Sequence, residues 1–191
     1  AISGDIAVYN AFVTSVANAI TELAALGTIW TAIGSTSTVD ARDNTGTNPF
    51  ADGAGVPIYL LDGTTKIADN NTDFWDGSID SIINVDETGS SHAGNSVFTG
   101  SVADGTAATY AYLGTPYLYS HAGLPNATNS GWLAASAPHI STSLTFFAIS
   151  GILPAAAEAA PIPEPGVTAM FGVVLLGLGV ARRRHLNARS S

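Results

Sequence analysis

The sequence predicts an α+β domain joined to one apolar helix near the C-terminus, and three observations predict it. Ile6, Tyr9, Val13, Val16, Ile20 and Leu23 recur at spacings of three and four, the pattern of one helix face. Beyond Gly27 the apolar residues fall into short stretches cut by Gly, Asn, Asp and Pro clusters, which is the punctuation of short strands and turns. Residues 166–181, GVTAMFGVVLLGLGVA, then run without a charge.

Taken in chain order, a helix over residues 5–26 turns its apolar stripe to the core, and Gly27 is placed to close it. Thr28–Ile33, Pro57–Leu61, Val97–Gly100, Tyr110–Leu113 and Leu144–Ile149 read as short strands. Residues 151–165, GILPAAAEAAPIPEP, make an Ala/Pro-rich, semi-extended stalk. As a helix, residues 166–181 would be about 24 Å long against roughly 30 Å of hydrocarbon, so they span if arginines snorkel and the bilayer thins. Gly166, Gly172, Gly177 and Gly179 give that helix small-residue faces on which a partner helix could pack. The expected organisation is an exported domain over 1–150, a stalk over 151–165, a transmembrane helix over 166–181 and a basic tail over 182–191.

Charge divides the chain. Its six cations are Arg42, Lys66, Arg182, Arg183, Arg184 and Arg189, and the last of its fifteen carboxylates is Glu164, so it carries −13 up to Pro165 and +4 beyond. Blocks of opposite sign point to two environments. The positive-inside rule puts the basic tail in the cytoplasm and the acidic domain on the outer side of the membrane. The acidic face repels phosphate backbones and excludes nucleic-acid binding. The absence of cysteine removes disulfides, thiolate metal sites and cysteine nucleophiles together. Ala1-Ile2-Ser3 suits a mature terminus left by signal-peptide cleavage, so export is expected.

Pro163-Glu164-Pro165, the apolar run and Arg182-Arg183-Arg184, in that order, closely resemble the PEP-CTERM sorting signal of exported bacterial proteins. The resemblance implies recognition by an exosortase, a membrane protease-transpeptidase, and a place at the cell surface or in a polysaccharide matrix. It covers about 30 residues and is an address rather than an activity.

A second resemblance covers roughly residues 8–151. Trp30-Thr31-Ala32-Ile33, Asp40-Ala41-Arg42-Asp43, Pro57-Ile58-Tyr59, Trp75-Asp76-Gly77, Asp86-Glu87-Thr88-Gly89, Val97-Phe98-Thr99-Gly100, Gly131-Trp132 and Leu144-Thr145-Phe146-Phe147-Ala148 follow one another as in the endostatin-related, C-type-lectin-like domain of bacterial surface proteins. The resemblance implies a C-type-lectin-like fold with an N-terminal helix, short irregular strands and long loops. The calcium-ligating Glu-Pro-Asn, Gln-Pro-Asp and Trp-Asn-Asp motifs of true C-type lectins do not occur, so calcium-dependent sugar binding is not implied.

Candidate chemistry is sparse. Arg42, between Asp40 and Asp43, reads first as a fork tying loops to carboxylates and second as an anion or partner site. Trp75 and Asp76 read first as a core indole followed by a turn, and second as a sugar-stacking site. Asp62, Asp69, Asp73, Asp76, Asp80, Asp86 and Glu87 are dense enough for one structural calcium ion, but they lack EF-hand spacing and acidic loops usually serve solubility, so no cofactor is expected. His92, His121 and His139 are far apart with no metal-ligand spacing. No nucleophile elbow, phosphate loop or dinucleotide fingerprint occurs, so an enzyme is not expected.

The expected function is that of a non-catalytic, membrane-anchored periplasmic or cell-surface interaction domain, with membrane lipid, membrane proteins and an exosortase as partners. One alternative is a single-pass accessory subunit of a larger membrane complex, for example an energy-transducing or photosynthetic one, with its tail helix uncleaved. The other is a carbohydrate-binding protein of an extracellular matrix.

Overall fold

The computed structural model describes residues 2–91 and 94–153. The expectations for most of the stalk, for the transmembrane helix with its four glycines, for the sorting motif with its arginines, and for His92 therefore lie outside the described residues.

The first apolar stripe forms α1 (Ile6–Asn18), started by Asp5, whose Oδ1 accepts the Ala7 N–H at 3.0 Å. Tyr9, Val13 and Ala17, spaced by four, are its buried face. The single helix expected over 5–26 is two. After Asn18 the turn tightens to bonds three residues back, from Ala19 N–H to Val16 O and from Ile20 N–H to Ala17 O. Ile20 then turns extended and α2 (Thr21–Ala24) begins. Asn18 and Thr21 are weak helix formers, which makes this the natural place to break. Gly27, at φ +61°, closes the segment with its N–H on Ala24 O.

Next comes β1 (Trp30–Ala32), paired antiparallel with β6 (Ala148–Ser150) so that Trp30 faces Ser150 and Ala32 faces Ala148. The other edge of β1 is satisfied by side chains. Asn10 Oδ1 accepts the Ala32 N–H at 2.9 Å, Asn44 Nδ2 donates to Ala32 O at 2.8 Å, and Thr14 Oγ1 donates to Trp30 O at 2.7 Å. Side chains of α1 and of Asn44 thus pair the Ala32 N–H and the Trp30 and Ala32 carbonyls on the edge of the ribbon that packs against α1. Two further ribbons join β2 (Ile58–Tyr59) to β3 (Lys66–Ala68), and β4 (Val97–Phe98) to β5 (Ala122–Gly123). The short helices α3 (Ala41–Asn44) and α4 (Asn71–Phe74) lie in the connections, α4 capped by Asn70 Oδ1 on the Thr72 and Asp73 N–H groups.

Two apolar clusters hold these pieces. One gathers Phe74, Trp75, Trp132 and Phe147 with Ile33, Ile67, Val97 and Leu133. The other sets Tyr9, Val13 and Ala17 of α1 against Trp30, Phe98 and Leu113. Ser35, Thr36, Thr99, Ser101 and Ser120 are buried too, and their hydroxyls mostly bond backbone, as Thr99 Oγ1 does to Leu133 O at 2.6 Å. Loop backbones approach closely where side chains are small. A Cβ on Gly123 would overlap the Trp132 carbonyl.

These observations correct the expected fold. In place of a C-type-lectin-like scaffold, the described residues make a small mixed helix-and-strand domain with three separate two-stranded ribbons. No described helix is long and apolar enough to cross a membrane. Ordered short motifs specify turns and core positions, which many architectures share; they do not specify how ribbons join into a sheet. The strand expected at Tyr110–Leu113 is a turn with Tyr110 at φ +63°.

Candidate interaction surface

The structure brings Arg42 and Trp75 into one knot of loops. The N–H groups of Ala41 and Arg42 both donate to Gly105 O, Thr47 N–H donates to Arg42 O, and Trp75 Nε1 donates to Thr47 O at 3.1 Å and Thr47 Oγ1 at 2.9 Å. Gly105, at φ +76°, lies flat on the Trp75 ring, where any Cβ would collide. The Arg42 guanidinium is 3.7 Å from Asp40 Oδ2 and lies over the Phe50 ring at 5.6 Å from its centre. Burial alone would raise the Asp104 pKa, but hydrogen bonds from Thr106 and the charge of Arg42 outweigh it and leave the carboxyl below its ordinary value. Asp76 stands apart from the knot on an exposed turn, where its Oδ1 accepts from the Ser78 N–H and hydroxyl.

Carboxylate oxygens of Asp69, Asp73 and Asp80 lie within 4.8 Å of one another. The chain itself supplies a cation there: the Lys66 ammonium pairs with Asp69 and, at 3.0 Å, with Asp80. Those two hydrogen-bonded carboxylates raise the Lys66 pKa. The two described histidines serve separate loops, His121 with Nδ1 3.0 Å from Ser101 O and His139 with Nδ1 2.7 Å from Ser141 Oγ.

A surface that motif reading passed over is built on residues 110–119. Leu113 and Ser120 are fully buried and pin this loop, Leu113 through its N–H on Ser35 O and Ser120 through its hydroxyl on Ala111 O. Between and beside these anchors the large side chains turn outward: Tyr110 is 65%, Tyr117 51%, Leu118 58% and Tyr119 54% exposed. Tyr110 and Tyr117 meet edge to face at 5.2 Å, and Tyr119 meets His139 the same way at 5.7 Å. The left-handed backbone at Tyr110 is a strain of about 1–3 kcal/mol for a non-glycine residue. Thr115 Oγ1 helps to hold it, donating to Tyr110 O at 2.9 Å. Two signals were legible beforehand: four of the six tyrosines fall within residues 110–119, and residues 105–157 contain no Asp, Glu, Lys or Arg.

A concave surface of about 380 Å³ lies between α2, the β2–β3 turn and the turn after Val85. Ile20, Leu23, Leu60, Leu61 and Val85 line it, and Glu22, Asp62 and Glu87 stand around it. Hydrogen bonds from Thr65 Oγ1 and from the Thr65 and Thr64 N–H groups lower the Asp62 pKa to about 2.

No protein-family model, curated protein or solved structure matches this chain. The lectin-like motif order therefore has no structural counterpart to support it.

Proposed function

We propose that this chain is a non-catalytic exported interaction domain, addressed to the inner membrane or cell surface by its PEP-CTERM-type tail, and that it engages a protein partner through the tyrosine loop. The observation that carries this reading is the exposure of Tyr110, Tyr117, Leu118 and Tyr119 together in an uncharged stretch. Tyrosine brings a large, stiff contact area with a polar tip, which suits it to protein interfaces. Charge depletion suits the centre of such a patch, because no ion has to be stripped of water on docking. The address is supported by Pro163-Glu164-Pro165 and by the apolar run ending in Arg182-Arg183-Arg184.

The test is co-purification from native membranes with Tyr117→Ser/Tyr119→Ser beside the wild type. Both positions are about half exposed, so the variant keeps its circular dichroism and melting temperature while losing the partner that the wild type retains. Unchanged co-purification by a folded variant contradicts the reading.

A further inference from the structure

The groove between α2 and the two turns joins an aliphatic lining to a set of carboxylates. Its floor is aliphatic, with Leu61 43% exposed, and three carboxylates from three separate segments stand around it. The only cations among the described residues are Arg42 and Lys66, and both pair with aspartates elsewhere, Arg42 with Asp40 and Lys66 with Asp69 and Asp80. The domain over residues 1–153 holds thirteen carboxylates against these two cations, so no charge of its own answers Glu22 and Glu87.

We propose that this groove is a docking site for a cationic amphipathic peptide segment of a partner protein, its aliphatic side chains on Leu23, Leu60 and Leu61 and its lysines or arginines against Glu22, Asp62 and Glu87. A purely apolar occupant would leave Glu22 and Glu87 without a counter-charge, and a polar cation would leave the floor wet; only a ligand with both features is complementary to both. The volume accommodates a few side chains, so a short segment suffices. This site uses none of the tyrosine-loop residues, and either can fail without the other.

The experiment uses the full chain and the labelled hexapeptide acetyl-KLLKLK-amide, read by fluorescence anisotropy. Its controls are acetyl-KSSKSK-amide, of equal charge, and acetyl-ELLELE-amide, of equal apolar content. The leucine–lysine peptide is expected to bind at least about tenfold more tightly than either control. Glu22→Gln/Glu87→Gln is expected to remove about that tenfold, and Leu61→Ser, which keeps every charge, to weaken the same peptide but not the serine one. Equal affinity for the leucine–lysine and serine–lysine peptides, or unchanged affinity in the Glu22→Gln/Glu87→Gln protein, overturns the proposal.

Discussion

Trp75 and Trp132 lie 6.0 Å apart in one aromatic cluster, yet they are held differently. Trp132 is fully buried and its indole Nε1 has no hydrogen-bond partner, so the ring contributes by burial and by packing on Phe74, Trp75 and Phe147. The Trp75 indole N–H is shared between Thr47 O and Thr47 Oγ1. Both Trp→Phe substitutions lose ring volume, but Trp75→Phe also strips the tie to the Arg42 loop. It is expected to cost about 1 kcal/mol more than Trp132→Phe in urea unfolding. Equal losses would show that the indole bonds contribute nothing. At this scale the sequence speaks through residue type: a tryptophan before Asp-Gly suits a core ring followed by a turn, and Gly77 at φ +102° makes that turn. Tyr110 was not legible. Thr-Tyr-Ala-Tyr-Leu has the β-propensity of a strand, yet only Leu113 makes a ladder contact, with Thr36, and Tyr110 turns left-handed ahead of it.

Among the elements, α1 could be read because thirteen residues allow a 3.6-residue period to repeat. The strands could be read only in part. β3 begins with a lysine and β5 contains a glycine, and each is two or three residues long, so neither repeats a period of two often enough to register. Their pairing is a tertiary fact, as is the use of Asn10 and Asn44 to satisfy the free edge of β1. Asn10→Ala removes the acceptor of the Ala32 N–H and the amide pair with Asn44 in one step. An expected loss of about 2 kcal/mol, with the urea m-value unchanged, distinguishes this role from that of an ordinary polar side chain on a helix. A loss within about 0.5 kcal/mol would mean that water replaces the asparagine at no cost.

Across the whole molecule, charge is partitioned. Every described carboxylate lies at or before Asp104, and the rest of the described chain is uncharged. Stability against pH follows from the shifted groups. Asp62 and Asp104 have folded pKa values below the ordinary 3.8, so their contribution is in place above that value and is lost as pH falls, for Asp62 through about 2. The Lys66 value is raised above 10.5, so its contribution is complete below 10.5 and is lost only as pH climbs past the folded value. From these groups a plateau is expected between about pH 4 and pH 10. A melting temperature that stays level as pH falls from about 4 to about 2 would contradict the turn at Asp62. The candidate surface was half legible in the same terms: composition exposed its tyrosines and its lack of charge, while only the fold decides that Leu113 turns inward and Leu118 outward.

The interaction reading is tested most directly by placing a photo-crosslinking amino acid at position 117 in cells, with a second protein carrying it at Phe12, which is similarly exposed on α1 and lies outside the groove. The account predicts one discrete protein adduct from position 117 and none from position 12. No adduct from 117, or the same adducts from both positions, would contradict it.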